Sequence, residues 1–287
     1  MSAMVSARQR LKSIRDTAYV ITRCRSKPWQ KGIQLSPPSS SVKYPGGARA
    51  TFCCSVDFDV TREEREAPNR LGTDKLLELS EKYRISMTWA ICGRTAKEQP
   101  DTFRSIVNSR QRQEIGVHTY SHIDVSSCPP SQLEAEIERC LQVLQLPTPP
   151  ISFVFPWNRV GNLEVLKKLG FKAFRGKARA IGPPVREQGL WNIQPTYAID
   201  RRTYNSFPFV KQLVKTSVSN NSVFHLWLHP WDLIPEKPGQ RPLDGAFLEP
   251  LFRFVSDLKE KNGSLFAFCT MGDLAYHFEK IAEQASS

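Results

Sequence analysis

Four of the chain's five histidines fall into two pairs, His118 with His122 and His225 with His229. His118-Thr-Tyr-Ser-His122 has i, i+4 spacing, which in a helical turn or a tight loop of similar reach brings two imidazoles to one face. Two neutral imidazoles and one carboxylate make three ligands for a zinc-like ion and leave the fourth position open, as a catalytic site requires. The spacing alone arises often by chance, so it carries weight only with a matching carboxylate. Asp57 and Asp59, in the segment Ser-Val-Asp-Phe-Asp, end an apolar strand-like run. Residues two apart on a strand point the same way, so both carboxylates can face one site. Burying such a pair without a partner is expensive, and mutual repulsion drives their pKa values apart unless a cation intervenes. The competing interpretation is a strand-end cap or turn pair. His229 closes the run VFHLWLH ahead of Pro230, where an imidazole titrating near neutrality suits a general acid. His225, four residues earlier and deeper in the same strand, reads as a hydrogen-bonded core residue. His277, in the last helical segment, is expected to have no chemical role.

These side chains need a scaffold, and from Ala50 onward strand-like and helix-like segments alternate. Strands are expected at 51–56, 86–92, 115–118, 152–155, 223–229 and 264–269. Helices are expected at 73–84, 101–109, 131–144, 162–170, 208–218, 246–261 and from Gly272 to the end, with Ser131 as an N-cap and Glu134 at the capping-box position. Strand followed by helix, repeated six or seven times, predicts an α/β fold with a parallel sheet. Periodicity alone fits a doubly wound sheet and a barrel equally well.

Residues 1–47 form a basic N-terminal extension and linker, and 48–287 form the catalytic domain. The extension holds nine Lys or Arg against one acid, Asp16, so +8 of the chain's +12 net charge resides there. Met4, Ala7, Leu11, Ile14, Ala18 and Ile21 recur at helical spacing. Residues 4–31 are therefore a candidate for peripheral contact with an anionic membrane face; the alternative is a helix packed on its own domain. Residues 35–47 are rich in Pro, Ser and Gly and read as a linker. Because the basicity belongs to the extension and no nucleic-acid motif is present, a nucleic-acid partner is excluded. No apolar run approaches the roughly 20 residues that span a bilayer, and no secretory apolar segment follows the basic start. The seven cysteines are scattered and form no C-x-x-C pair. The expected location is the cytoplasm, reducing, with the inner membrane face as a possible resting place.

The order of these motifs resembles the polysaccharide deacetylase family, the NodB-homology or carbohydrate esterase family 4 group, over roughly residues 50–275. SVDFD looks like its first motif, EIGVHTYSH (114–122) its second, FVFPWN (153–158) its third and LWLHP (226–230) its fifth. The resemblance implies a distorted (β/α)7 barrel. It also implies Asp59, His118 and His122 as ligands of a divalent metal, zinc foremost with cobalt, manganese or nickel as alternatives. Asp57 would be the catalytic base, His229 the general acid, and the backbone N–H of Trp157 an oxyanion donor. The third motif of the family begins with an Arg that pairs with the base. That position is Val154 here, and Arg159 or Arg175 would have to supply the charge.

The implied activity is hydrolytic removal of an N-acyl group, acetyl first, from an amino sugar that serves as an intermediate of surface polysaccharide or glycolipid assembly. Arg159, Arg175, Trp191 and Trp231 are candidates for gripping that substrate. The basic stretch Lys172, Arg175, Lys177, Arg179 and Arg186 suits a nucleotide or lipid phosphate; the alternative is a solvated surface loop. Other enzymes of the fold open cyclic amides or remove formyl groups, and a binding module with a dead site is the alternative of a different class.

Overall fold

Strand β2, Ala50–Phe58, is buried along its whole length and organises the sheet around it. The computed structural model describes residues 33–36, 42–60, 65–176, 179–199, 206–235 and 242–286. Residues 4–31 and Lys177 lie outside these. In chain order the other strands are β1 (Ile33–Leu35), β3 (Thr88–Ile91), β4 (Glu114–Val117), β5 (Ser152–Val154), β6 (Ala173–Arg175), β7 (Arg179–Ile181), β8 (Val185–Glu187), β9 (Leu190–Asn192), β10 (Tyr197–Ala198), β11 (Val223–Leu228) and β12 (Phe266–Phe268). The helices are α1 (Glu66–Tyr83), α2 (Gly93–Glu98), α3 (Pro100–Val107), α4 (Pro130–Leu144), α5 (Leu163–Lys168), α6 (Phe207–Ser219), α7 (Glu249–Asn262) and α8 (Met271–Ser286).

The main sheet runs β10-β11-β2-β3-β4-β5-β6-β9-β8, and β12 pairs with the first residues of β2. Its ladders are parallel except for the β8–β9 hairpin. Among the described residues no ladder joins β8 back to β10, so the sheet is a curled half-barrel. That is the distorted barrel expected, and it settles the choice that periodicity left open.

The alternation along β2 sorts its residues between two environments. Phe52, Cys54, Val56 and Phe58 join the larger core, with Leu76 and Leu79 of α1 and Phe252 of α7. Phe52 stacks on Phe224 of β11 at 5.8 Å and meets Phe252 edge-on at 6.0 Å. Cys53 belongs to a second cluster with Ala90, Val154 and Ala173, drawn from neighbouring strands. Ser55 and Asp57 share the Cys53 face, so the second face of β2 becomes polar as it approaches its C-terminal end, where barrel sites collect their residues.

Several local expectations are corrected. Helix α4 begins at Pro130 after Pro129, so Ser131 lies in its first turn and caps nothing. Glu134 makes no capping box and instead pairs with Lys168 of α5 at 2.6 Å. Helix α7 is preceded by a π turn, Asp244–Leu248. The strands β6 to β10 were not foreseen, because runs of two or three residues are too short to display a period. Within the stretch read as linker, Tyr44 is fully buried and packs edge-on against Phe278 of α8 at 5.8 Å. Among the described residues no helix is long and apolar enough to cross a membrane.

Candidate active site

The metal-ligand candidates come from two strand ends. His118 directly follows β4, and its N–H continues the ladder by donating to the Ile91 carbonyl at 2.9 Å. The chain then turns sharply, with Thr119 and His122 both at φ +59°. L-residues adopt that conformation only when surrounding structure enforces it. Glu136 of α4 does the enforcing. Its carboxylate accepts the N–H groups of Tyr120 (3.0 Å) and Ser121 (2.7 Å) and the Ser121 hydroxyl (2.7 Å). Arg139, one turn along α4, stacks on the Tyr120 ring at 3.8 Å. The two imidazoles thus converge through a pinned loop, their centroids 4.9 Å apart.

The carboxylate of Asp59 meets them. Its Oδ2 lies 3.0 Å from Nε2 of His122 and 3.8 Å from Nε2 of His118. The ligand atoms of all three lie within 4.8 Å of one another. The Nδ1–H of His118 donates to the Val154 carbonyl at 2.7 Å. A carbonyl can only accept, so this bond fixes the tautomer and leaves Nε2 with a free lone pair. That Nε2 is buried and has no hydrogen-bond partner. An orphaned buried lone pair is costly, and here it faces a carboxylate and a second imidazole, which fits a cation. Burial pushes His122 below the ordinary imidazole value, which favours the neutral form a ligand needs. Burial alone would raise the Asp59 carboxyl, but the charge of His229 and the adjoining imidazoles of His118 and His122 hold it well below the usual range.

Asp57 is 3% exposed and does not sit alone. Arg175, the last residue of β6 and fully buried, donates from Nη2 to Asp57 Oδ2 at 2.5 Å and from Nη1 to Ser55 Oγ at 2.8 Å. Its Nε donates to Asn158 Oδ1 at 3.2 Å, and its guanidinium lies 4.6 Å from the Trp227 ring. In the β5–β6 ladder Arg175 stands directly opposite Val154. The charge missing at Val154 is therefore supplied from the next strand, in the same layer of the sheet. Burial would raise the Asp57 carboxyl, yet the charge and hydrogen bond of Arg175, with His118 and His229, keep it below the usual carboxylate value.

His229 follows β11 and stands across the site, its Nε2 3.9 Å from Asp59 Oδ2. Its Nδ1 bonds Asp232 Oδ2 at 2.9 Å, in a short turn that the sequence reading overlooked. Burial opposes protonation of His229, but the surrounding carboxylates of Asp59, Asp232 and Asp57 outweigh it and push the ring up to about 9. Trp231 stacks on this imidazole at 4.2 Å and donates from Nε1 to Asp59 Oδ1 at 3.3 Å. His225 is a core residue, bonded to Ser55 Oγ and the Ile193 carbonyl, and burial pushes it down to about 3.

A cavity of about 380 Å³ joins these groups, lined by Asp57, Asp59, Arg65, His118, His122, Trp157, Asn158, Trp227, His229 and Trp231. Trp157 is 55% exposed at the rim and packs edge-on against His122 at 4.5 Å. It and Asn158 carry φ +52° and +55°, a strained backbone directly beside the cavity. Three substrate candidates are corrected by their positions. Arg175 is buried beneath Asp57. Arg159 is not among the residues that line the cavity and pairs with Asp124. Trp191 is 8% exposed under α8, its Nε1–H bonded to Glu279 at 2.9 Å and its ring against Phe278. Among the described residues of the basic stretch, Arg175 is internal and Arg186 pairs with Glu279. Asp232 and Glu136 were legible in principle as acids three and fourteen residues beyond His229 and His122. Arg65 and Ser55 had no sequence signal.

Comparison with known proteins gives the arrangement a setting. Residues 56–174 match the family model described as polysaccharide deacetylase. A peptidoglycan deacetylase of Helicobacter pylori is 29% identical over 106 residues, 36% of each chain. A chitooligosaccharide deacetylase of Sinorhizobium fredii is 26% identical over 87 residues, 30% of this chain and 40% of that protein. The matched segments thus span well under half the length of these curated relatives. A structure from Mycobacterium smegmatis assigned as a polysaccharide deacetylase superposes with a TM-score of 0.67 at 16% identity, covering 87% of this chain and 96% of that one. At that identity the likeness is one of fold.

Proposed function

Because the chain resembles the polysaccharide deacetylase family in sequence and fold, we propose that it is a metal-dependent hydrolase that removes an N-acyl group, acetyl first, from an amino sugar. The observation that carries this is the convergence of Asp59, His118 and His122 around an unpartnered, tautomer-fixed lone pair, flanked by a base candidate and an acid candidate. Those three residues would hold the ion. A divalent cation at such a site polarises an acyl oxygen and makes water acidic enough to attack at neutral pH, and zinc suits two imidazoles and a carboxylate.

The remaining work falls to the chain. Asp57, ionised beside Arg175, accepts the proton that the attacking water loses. His229 stands on the other side of Asp59 and gives a proton to the departing amine, held in orientation by Asp232. The N–H of Trp157 begins the short turn Pro156–Asn158, where first-turn donors have no intrahelical acceptor, and it is offered to the developing oxyanion. Such a donor is worth about 3–4 kcal/mol in other acyl-transfer sites. The water is consumed, the C–N bond breaks, and a free amine and a carboxylate leave. The six cysteines among the described residues are free thiols, which supports a reducing, cytoplasmic setting and hence an intracellular sugar intermediate as substrate.

Acetate and formate release from N-acetylated and N-formylated amino sugars, with zinc-loaded and chelator-treated protein, tests the proposal. Chelator-sensitive acetate release is expected. Absence of any acyl release from fully metallated protein would overturn it, and formate alone would move the scissile bond to a formamide.

A further inference from the structure

One charged group facing the cavity is left over once the proposed chemistry is assigned. Asp57 is matched by Arg175, His229 by Asp232, and Asp59 by the imidazoles. Arg65 lines the same cavity yet makes no ion pair or hydrogen bond among the described residues. It stacks on Trp231, with Cζ 3.8 Å from the ring centroid. Trp231 is itself buried, with His229 stacked on it in turn. Arg65 and His229 thus stack on a common indole, and both line the cavity.

Neither local structure nor helix stability accounts for an arginine there. Arg65 occupies the N-cap of α1 and gives that helix no side-chain cap, where Ser, Thr, Asp or Asn would stabilise it. A cation at the N-terminal end also opposes the helix dipole. The position is nonetheless rigidly defined. Gly72 of α1 lies so close to the turn after His229 that a Cβ built on it would sit 1.9 Å from the Pro230 carbonyl oxygen. That contact locks α1, and with it Arg65, to the segment bearing His229 and Trp231. Stacking occupies the face of the guanidinium and leaves its in-plane N–H groups available, the edge that matches a carboxylate or phosphate in bidentate fashion.

We propose that Arg65 anchors an anionic substituent of the substrate, so that the amino sugar acted on carries a carboxylate or a phosphate beside its acylamino group. This deepens the deacylase proposal and rests on it. It also relocates the phosphate-binding role expected of the 172–186 stretch, none of whose described residues lines the cavity. Arg65 is a substrate-binding residue with no part in bond breaking.

The test compares N-acetylglucosamine, N-acetylmuramic acid and N-acetylglucosamine 1-phosphate on the full-length, zinc-loaded chain, as wild type, Arg65→Gln and Arg65→Lys. Acetate release and calorimetric binding are both measured, with thermal unfolding as the check on folding. At least one acidic sugar is expected to exceed the neutral one in kcat/KM by about 10- to 100-fold, the usual worth of a hydrogen bond to charge, mostly through KM. That ratio is expected to fall toward unity in Arg65→Gln and partly recover in Arg65→Lys. Whichever acid shows the preference identifies the source of the charge. Acetate release with the same ratio in Arg65→Gln as in wild type, or with no acid preference, overturns the anchor and leaves the deacylase standing. Arg65-dependent binding of an acidic sugar without acetate release supports the anchor as an anion site and overturns the deacylase.

Discussion

Replacing Arg175 by Met should damage the protein in two separable ways. Arg175 is fully buried and Asp57 nearly so, with Nη2 and Oδ2 at 2.5 Å. Removing one partner of such a pair leaves an uncompensated buried charge and costs about 3–5 kcal/mol. At roughly 2–4 °C per kcal/mol for a domain of this size, Tm should fall by about 6–20 °C. The second effect is on Asp57 itself. Without the guanidinium, only His118 and His229 still oppose burial, so the carboxyl rises and the acid limb of the rate profile should move to higher pH. The sign follows from linkage. The folded-state value of Asp57 is depressed, so its stabilisation is complete above the unfolded carboxylate value, about 3.9, and is lost as pH falls through the folded value. The Tm gap between wild type and Arg175→Met should therefore narrow in acid. Adding Asp57→Asn removes the stranded charge, and the double variant should recover much of the lost stability, because an apolar or neutral replacement of a whole buried pair is close to neutral. Thermal unfolding from pH 3 to 8, with acetate release over the same range, reads both effects. An Arg175→Met protein with wild-type Tm and an unmoved acid limb would refute the claim that this arginine holds Asp57 ionised.

Three further outcomes follow from the site. Asp57→Asn should bind zinc like the wild type but lose turnover, whereas His118→Ala should lose both; metal analysis beside the acetate assay distinguishes them. Glu136→Ala frees the loop that carries His118 and His122, and zinc affinity should drop about 10- to 100-fold, as for other groups that orient ligands, measured by competition with a chromogenic chelator. His229 is raised to about 9, so activity needing its proton should hold at neutral pH and decline above that value. Asp232→Asn removes one of the charges that raise it and should shift the alkaline limb to lower pH. The same raised value means that His229 stabilises the fold fully below about 6.5, the unfolded value, and that this contribution is lost as pH rises through about 9.

The sequence displayed the parts of the site that obey a local rule. His118 and His122 share a short loop, Asp57 and Asp59 a strand end, and His229 the end of another strand, so spacing and apolar context exposed them. The parallel sheet was visible for the same reason: strands such as β2 and β11 are long enough to show a buried run. What stayed hidden depends on contacts between distant segments. Strands β6 to β10 contain two or three residues each, too few for any period, and so Trp191 and Arg186 read as site candidates, whereas Trp191 packs under α8 and Arg186 pairs with Glu279 at the surface. Arg65 sits at a helix start, where nothing in the sequence distinguishes it from a solvated charge.

Arg175 shows the principle most clearly. Within a curled parallel sheet, the residues of adjacent strands at one height form a layer, and what Asp57 requires is a cation somewhere in its layer. A motif records only one strand's way of meeting that requirement. Val154 and Arg175 are ladder partners, so moving the arginine from β5 to β6 changes the motif while the guanidinium still reaches Asp57, 118 residues away in sequence. Read along the chain, the valine is a lost catalytic partner and grounds for suspecting a dead site. Read across the sheet, it is the apolar neighbour of a guanidinium that takes over the pairing, and the suspicion loses its basis.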